Sequence, residues 1–149
     1  MNNMSNARKS AGFTLVEVMC VVAVAGIVST VALPSFQSAF HKARRSDARV
    51  ALWQVQLAQE RYRADHPAYG ALNEIGLATA SPSRQYAVSI VASNDVGFTA
   101  QALAVGAQAS DATCRFMQIV SDGLNTTHRS GPDADASNDN TKNKQCWGI

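Results

Sequence analysis

The chain has 149 residues, of which 46% are hydrophobic and 16% charged, and its 13 Lys and Arg against 11 Asp and Glu give a formal charge of +2. This length accommodates one domain, or a membrane segment with a smaller domain. The charge excludes bulk attraction to nucleic acid, because Arg8 and Lys9 lie in a dispensable N-terminal stretch and their removal leaves a balance of zero.

Residues 1–12, MNNMSNARKSAG, are short, polar and basic and end in a small residue. They read as a leader, outside the fold. The run that follows, residues 13–33, is apolar except for Glu17. As a helix it is about 31 Å long, the thickness of a hydrocarbon core, which predicts one membrane span. Basic residues flank it on both sides, so charge does not set its orientation. A secretory cut after Ala32 is an alternative to a cut before the run, but a carboxylate is a poor feature in a signal peptide. Burying Glu17 costs about 3 kcal/mol, so it needs a partner. If the chain is cut between Gly12 and Phe13, a new α-amino group appears one helical turn from Glu17, within reach in the same helix or from a neighbouring one.

Two residues weaken the helix. Gly26 costs about 1 kcal/mol relative to alanine, and Pro34 deletes a donor and crowds the carbonyl of Thr30. A kink, or a stretch able to unwind, is expected between them. Beyond Pro34 an apolar stripe continues through Phe36, Phe40, Ala43, Ala48, Ala51, Leu52, Val55, Ala58 and Tyr62. The pattern predicts a single helix from about Phe13 to Asp65, stopped at His66-Pro67.

Residues 66–83 carry loop punctuation, with Tyr69, Leu72, Ile75 and Leu77 available to pin them. Alternation then predicts strands over residues 85–92 and 97–103, a hairpin, with a third run at 113–120 and a weaker fourth at 124–128. Residues 130–149 read as a loop unless Cys146 and Trp147 tie them back. The class is α+β, a long N-terminal helix packed on a small antiparallel sheet of about four strands. Of three cysteines, Cys20 reads as a small buried hydrophobe. Cys114 and Cys146 are either two separate buried thiols or a bridge stabilising a polar loop by about 3–4 kcal/mol. The bridge implies an oxidising compartment.

Chemistry finds little support. His41, His66 and His128 lack catalytic partners at recognisable spacing, so no enzymatic activity is expected, nor any cofactor or small-molecule substrate. Asp133, Asp135, Asn138 and Asp139 fail an EF-hand pattern, with Lys144 where a bidentate Glu belongs, so no metal site is expected. Lys42, Arg44, Arg45 and Arg49 suit headgroup contact or solvation better than DNA, having no aromatic platform beside them.

Arg8 and Lys9, GFTLVEVM, the apolar helix, Gly26 and Pro34 together closely resemble type IV pilins and pseudopilins over about residues 9–65. The stretches RRSDARVAL, ERY and IGL and the terminal CW pair resemble minor pilins. The resemblance implies a leader (1–12), a transmembrane or filament-core helix (13–33) and a periplasmic pilin domain (34–149). That domain comprises an amphipathic helix half (34–65), an αβ loop (66–83), a sheet (84–129) and a disulfide-closed loop (114–146). It further implies cleavage between Gly12 and Phe13 by a prepilin peptidase, N-methylation of Phe13, extraction from the inner membrane by an assembly platform, and Glu17 pairing with a neighbouring subunit. Gly26 and Pro34 then bound a segment that loses helicity on assembly. By the same resemblance the chain is a minor subunit of an extracellular pilus serving biogenesis, twitching motility, adhesion or DNA uptake. The alternatives are a type II secretion pseudopilin or a pilus-displayed DNA receptor.

Overall fold

The computed structural model describes residues 12–149, with the side chains of residues 31–35 also outside that description. The basic leader residues Arg8 and Lys9 and the side chains of Ala32, Leu33 and Pro34 therefore lie outside the described residues. Helix α1 runs Leu15–Asp65. It is followed by β1 (Tyr86–Ser93), β2 (Gly97–Ala104), a 3-10 turn (Gly106–Ser110), β3 (Phe116–Asp122), β4 (Asn125–Gly131) and α2 (Asn140–Cys146). Met1–Gln37 and Ser38–Ile149 form separate compact units.

In the first unit, Thr14 caps α1. Its hydroxyl accepts the Glu17 amide at 3.2 Å, satisfying one of the donors that a helix start leaves open. Ser29 and Thr30 return their hydroxyl protons to the carbonyls of Ala25 and Ile27, so these two hydroxyls need no partner outside the helix. Its large side chains, from Phe13 and Leu15 to Ile27 and Val28, are exposed. Among the described residues no helical stretch is long and apolar enough to cross a membrane.

In the second unit, the C-terminal part of α1 lies against a four-stranded antiparallel sheet of order β1-β2-β3-β4. Ala48, Ala51, Leu52 and Val55 from the helix meet Tyr86, Val88, Phe98, Ala100, Ala102, Met117 and Ile119 in one core. The alanines of β2 keep the sheet close to the helix, while Tyr86 and Phe98 fill the flanks. The predicted stripe is half right: Phe40 is 60% exposed, and Val50, Trp53 and Leu57 are also exposed apolar residues of this unit, while in the first unit Phe36 is 61% exposed. Periodicity identifies an apolar face but not whether its partner belongs to the same chain.

Polar side chains of α1 fasten the loops. Asp47, buried, accepts the Ser81 hydroxyl and the amides of Ser83 and Gln85, the latter two at 2.9 and 3.2 Å. Gln59 pairs with both backbone groups of Gly70, at 2.6 and 2.9 Å. A Cβ on Gly70 would lie 2.9 Å from the Tyr62 ring, so a larger residue in this loop would have to push that ring aside.

The strands follow the predicted runs, with β3 and β4 each ending later than expected because Asp122-Gly123-Leu124-Asn125 forms their turn. Both outer strands are partly covered. Residues 79–81 bond to β1 through Val88 N–H to Thr79 O (2.8 Å) and Ser81 N–H to Tyr86 O (2.9 Å). Along β4, Asn143 and Trp147 donate side-chain N–H groups to the carbonyls of His128 and Arg129, at 2.8 and 3.2 Å. A register shift between Ile90 and Ala92 breaks the free end of β1.

The expected C-terminal loop is instead part loop and part helix. Asp139 caps α2 through the Lys142 amide at 2.9 Å, and Cys146 bonds to Cys114 with Cα atoms 5.6 Å apart. Asn, Thr, Lys and Gln give α2 no apolar period, so its signal lies in the cap and the cysteine. The bridge closes a separation of 32 residues. Replacing both cysteines by serine is expected to lower unfolding free energy by about 3–4 kcal/mol. Denaturant titration checks this, and an unchanged midpoint would show that the remaining contacts hold the tail unaided.

Candidate functional site

The basic set Lys42, Arg44, Arg45 and Arg49 does not form a common patch. Arg45, 12% exposed, grips Asp111 with two nitrogens at 2.7 and 2.9 Å, and Arg49 donates to the Trp147 carbonyl at 3.0 Å. Arg45 is not available to a phosphate, because a buried carboxylate remote in sequence already engages it, and Arg49 is half-buried against the helix-end carbonyl it bonds. Lys42 is exposed and Arg44 half-buried. RRSDARVAL is thus a structural cassette, in which Arg45, Asp47 and Arg49 each fasten a different segment to α1.

Asp111 also accepts the Gln108 amide (3.1 Å) and the backbone amides of Thr113 (3.1 Å) and Cys114 (3.2 Å). Gln108 in turn accepts at Oε1 from His41 Nδ1 (3.2 Å) and donates to the Tyr86 hydroxyl (3.1 Å), which donates to the Cys114 carbonyl (3.2 Å). Burial pushes the Tyr86 phenol up to about 12, so it stays a neutral donor. For Asp111, burial alone would raise the carboxyl, but the Arg45 hydrogen bond and the amides of Thr113 and Cys114 outweigh it and hold it below 3.8.

Apart from Lys42, the cations that face solvent come from elsewhere. Arg84 is exposed and non-glycine yet has φ of 56°, a left-handed conformation costing about 1–3 kcal/mol. The Asp47 clamp on Ser83 and Gln85 holds it there. Arg115 is exposed at the same end of the sheet, since Val105 N–H bonds Gln85 O and Ala104 N–H bonds Arg115 O. Its side chain donates to the Pro132 carbonyl at 2.7 Å. Arg129 is exposed on β4, and Lys142 and Lys144 are exposed on α2, which Asn143 ties to β4. At the opposite end the exposed acids Asp95 and Asp122 occupy adjacent turns, linked by Gly123 N–H to Val96 O at 2.7 Å. The sequence named only Lys144, as a misfit in a calcium loop, and only basic composition at turns could have flagged the others.

The remaining expected site residues are dispersed. Glu17 lies in the first turn of α1, exposed, with no ion pair among the described residues. Gly12 and Phe13 are exposed ahead of it. A Cβ on Gly26 would meet nothing within 4 Å, so no contact inside the chain accounts for that glycine. α1 is helical through both Gly26 and Pro34. Cys20 is exposed rather than buried. No group of three or more His, Cys, Asp or Glu able to hold a metal occurs among the described residues. His41 serves Gln108, His66 stacks on Tyr62 at 3.7 Å, and His128 meets Trp147 edge-on at 4.6 Å.

A helix capped at Thr14, an apolar segment with one carboxylate, and a four-stranded sheet closed by a C-terminal disulfide together define a type IV pilin. Residues 7–33 match the model of the prokaryotic N-terminal methylation motif. The chain belongs to the family described as type IV minor pilin ComP, DNA uptake sequence receptor, whose model matches residues 34–118. It is similar to the type IV major pilin protein PilA of Myxococcus xanthus, 35% identical over 86 residues, covering 56% of this chain and 39% of that protein. It is also similar to the type IV major pilin protein PilE1 of Neisseria gonorrhoeae, 33% identical over 87 residues, covering 57% and 41%. The fimbrial protein of Neisseria meningitidis serogroup B is 36% identical over 87 residues, covering 57% and 51%. The chain therefore spans about two fifths to one half of the length of these curated relatives.

The Asp111 junction has a defined pH dependence. Its folded-state pKa lies below the ordinary 3.8, so its contribution is complete above that value and is lost as pH falls through the folded one. Asp111→Asn is expected to remove that acid-limb loss and to cost about 3 kcal/mol at neutral pH by leaving Arg45 without its partner. Denaturation at neutral pH and below pH ~4 checks both.

Proposed function

We propose that this chain is a minor subunit of a type IV pilus that displays a duplex-DNA-binding surface. The observation that carries this is the match of residues 34–118 to the ComP minor pilin family, with the methylation motif at residues 7–33 ahead of it. The pilin match also favours a pilus over a secretion-system pseudopilin.

In this reading the leader, residues 1–12, faces the cytoplasm, residues 13–33 span the inner membrane, and residues 34–149 fold in the periplasm. The partners are a prepilin peptidase, which cuts between Gly12 and Phe13 and methylates Phe13, an inner-membrane assembly platform, and neighbouring pilins. The exposed apolar side chains from Phe13 to Val28 support a buried place in a helix bundle. Glu17 pairs there with the N-terminus of a neighbour, which turns a burial cost into a reason to assemble. Gly26 and Pro34 bound a stretch that unwinds on extraction. Glu17→Val keeps the Thr14 cap, since that bond uses the backbone amide. It is expected to leave cleavage intact and to reduce incorporation into filaments severalfold, measured by quantifying the subunit in sheared pili. Wild-type incorporation by this variant would remove the pairing role.

For DNA, Arg84, Arg115, Lys142 and Lys144 are exposed cations suited to phosphates, and the backbone of Arg84 is fixed by the Asp47 clamp. Four phosphate contacts predict that affinity falls on the order of a hundredfold between about 50 and about 200 mM salt. The paired change Lys142→Ala and Lys144→Ala is expected to lower the logarithmic salt slope by about 2. Fluorescence anisotropy with a labelled duplex checks this, and absence of binding at low salt would leave a structural pilin without the DNA role.

A further inference from the structure

A second surface has a different chemistry. Between the start of β4 and the loop leading into α2 lies a cleft of about 300 Å³, flanked by Ile149 and lined by Thr126, Thr127, His128, Asn138 and Asn140. Its wall is built by Asn143, which is buried and fully engaged. The Asn143 amide donates to His128 O and to Asn138 Oδ1, at 2.8 and 2.7 Å, and its carbonyl accepts the Ser130 hydroxyl at 2.9 Å. Trp147 is buried behind His128 and touches its ring edge-on. The wall is therefore rigid, pinned again by the bridge at Cys146.

The groups on the rim, in contrast, are not consumed by the fold. Among the described residues the hydroxyls of Thr126 and Thr127, both imidazole nitrogens of His128 and the side-chain amide of Asn140 make no hydrogen bond, and Asn138 uses only its oxygen. Burial lowers the His128 pKa below 6.5, so the ring is neutral near pH 7, with one donor and one acceptor. No lining side chain is then charged. The nearby Asp139 is occupied as the α2 cap.

A set of neutral groups that both donate and accept, with one aliphatic flank, is matched by a ligand of the same kind. Vicinal hydroxyls each donate and accept, and a pyranose ring offers a C–H face to Ile149. A phosphate would find no cation in the lining. The volume is at the small end for ligand sites and suits one or two sugar rings. We propose that this cleft binds a neutral pyranose unit of a carbohydrate, independently of the DNA-binding surface.

The test uses the full chain in a zwitterionic detergent, since glucoside and maltoside detergents would themselves compete. Methyl glucopyranoside, methyl galactopyranoside and N-acetylglucosamine are titrated while the side-chain amide signals of Asn138 and Asn140 and the His128 ring signals are followed by NMR. At least one of these sugars is expected to shift those signals with a Kd of about 1 mM. Asn140→Ala and Thr126→Val, both at exposed positions, should each weaken it about tenfold. Thermal unfolding should stay unchanged, as should duplex-DNA affinity. Silence of the signals with all three sugars would overturn the proposal. So would stronger binding by glucose 6-phosphate than by glucose, or shifts caused by a DNA duplex and by none of the sugars. Loss of DNA binding in the lysine variants with sugar binding retained would leave the two surfaces separate.

Discussion

Asp111 is a carboxylate that the folded chain keeps ionised although it is almost completely buried. It is tolerated because four partners share it: the Arg45 fork from α1, the Gln108 amide from the 3-10 turn, and the backbone amides of Thr113 and Cys114. Each partner belongs to a segment that would otherwise have little reason to stay. The junction sets where α1 meets the start of β3, and thereby where Cys114 waits for Cys146. A buried ion pair of this kind adds little net stability over an apolar pair, but breaking it strands a charge, so it acts as a register pin.

From that pin the structure divides its work between two kinds of contact. Ala48, Ala51, Leu52 and Val55 give the helix a thin apolar seam against an alanine-rich sheet. Polar clamps at Asp47, Arg49 and Gln59 distribute the loops along the same helix. The seam supplies the hydrophobic stabilisation, while the clamps supply position. With loops fixed in this way, Arg84 can be held in a left-handed conformation at the surface without collapsing to a more comfortable one.

Much of this architecture was legible in the chain itself. The alternation Tyr86, Val88, Ile90 and the following GFTAQAL run marked the hairpin, and the stripe from Ala48 to Val55 marked the buried helix face. What could not be read was pairing across distance. Arg45 and Asp111 stand 66 positions apart, so a cluster of arginines looked like a surface patch when two of its members were already engaged. Phe36 and Phe40 have the right spacing for a core and are exposed, since spacing does not say which chain provides the other wall. α2 escaped notice because its residues are polar and its stability comes from a cap, one asparagine knot and a cysteine. The solvent-facing cations and the neutral cleft rest on turn geometry, which periodicity does not encode.

The covering of both outer strands has a consequence for how such a subunit is stored. Residues 79–81 shield part of β1, and the side chains of Asn143 and Trp147 shield part of β4, with a bulge interrupting the rest of β1. Copies of this domain crowded side by side would meet without a ready template for continuing one another's sheets. Crowding therefore does not by itself drive edge-to-edge pairing of the folded domain. At high local density the folded domain is in this way kept from continuing a neighbour's sheet.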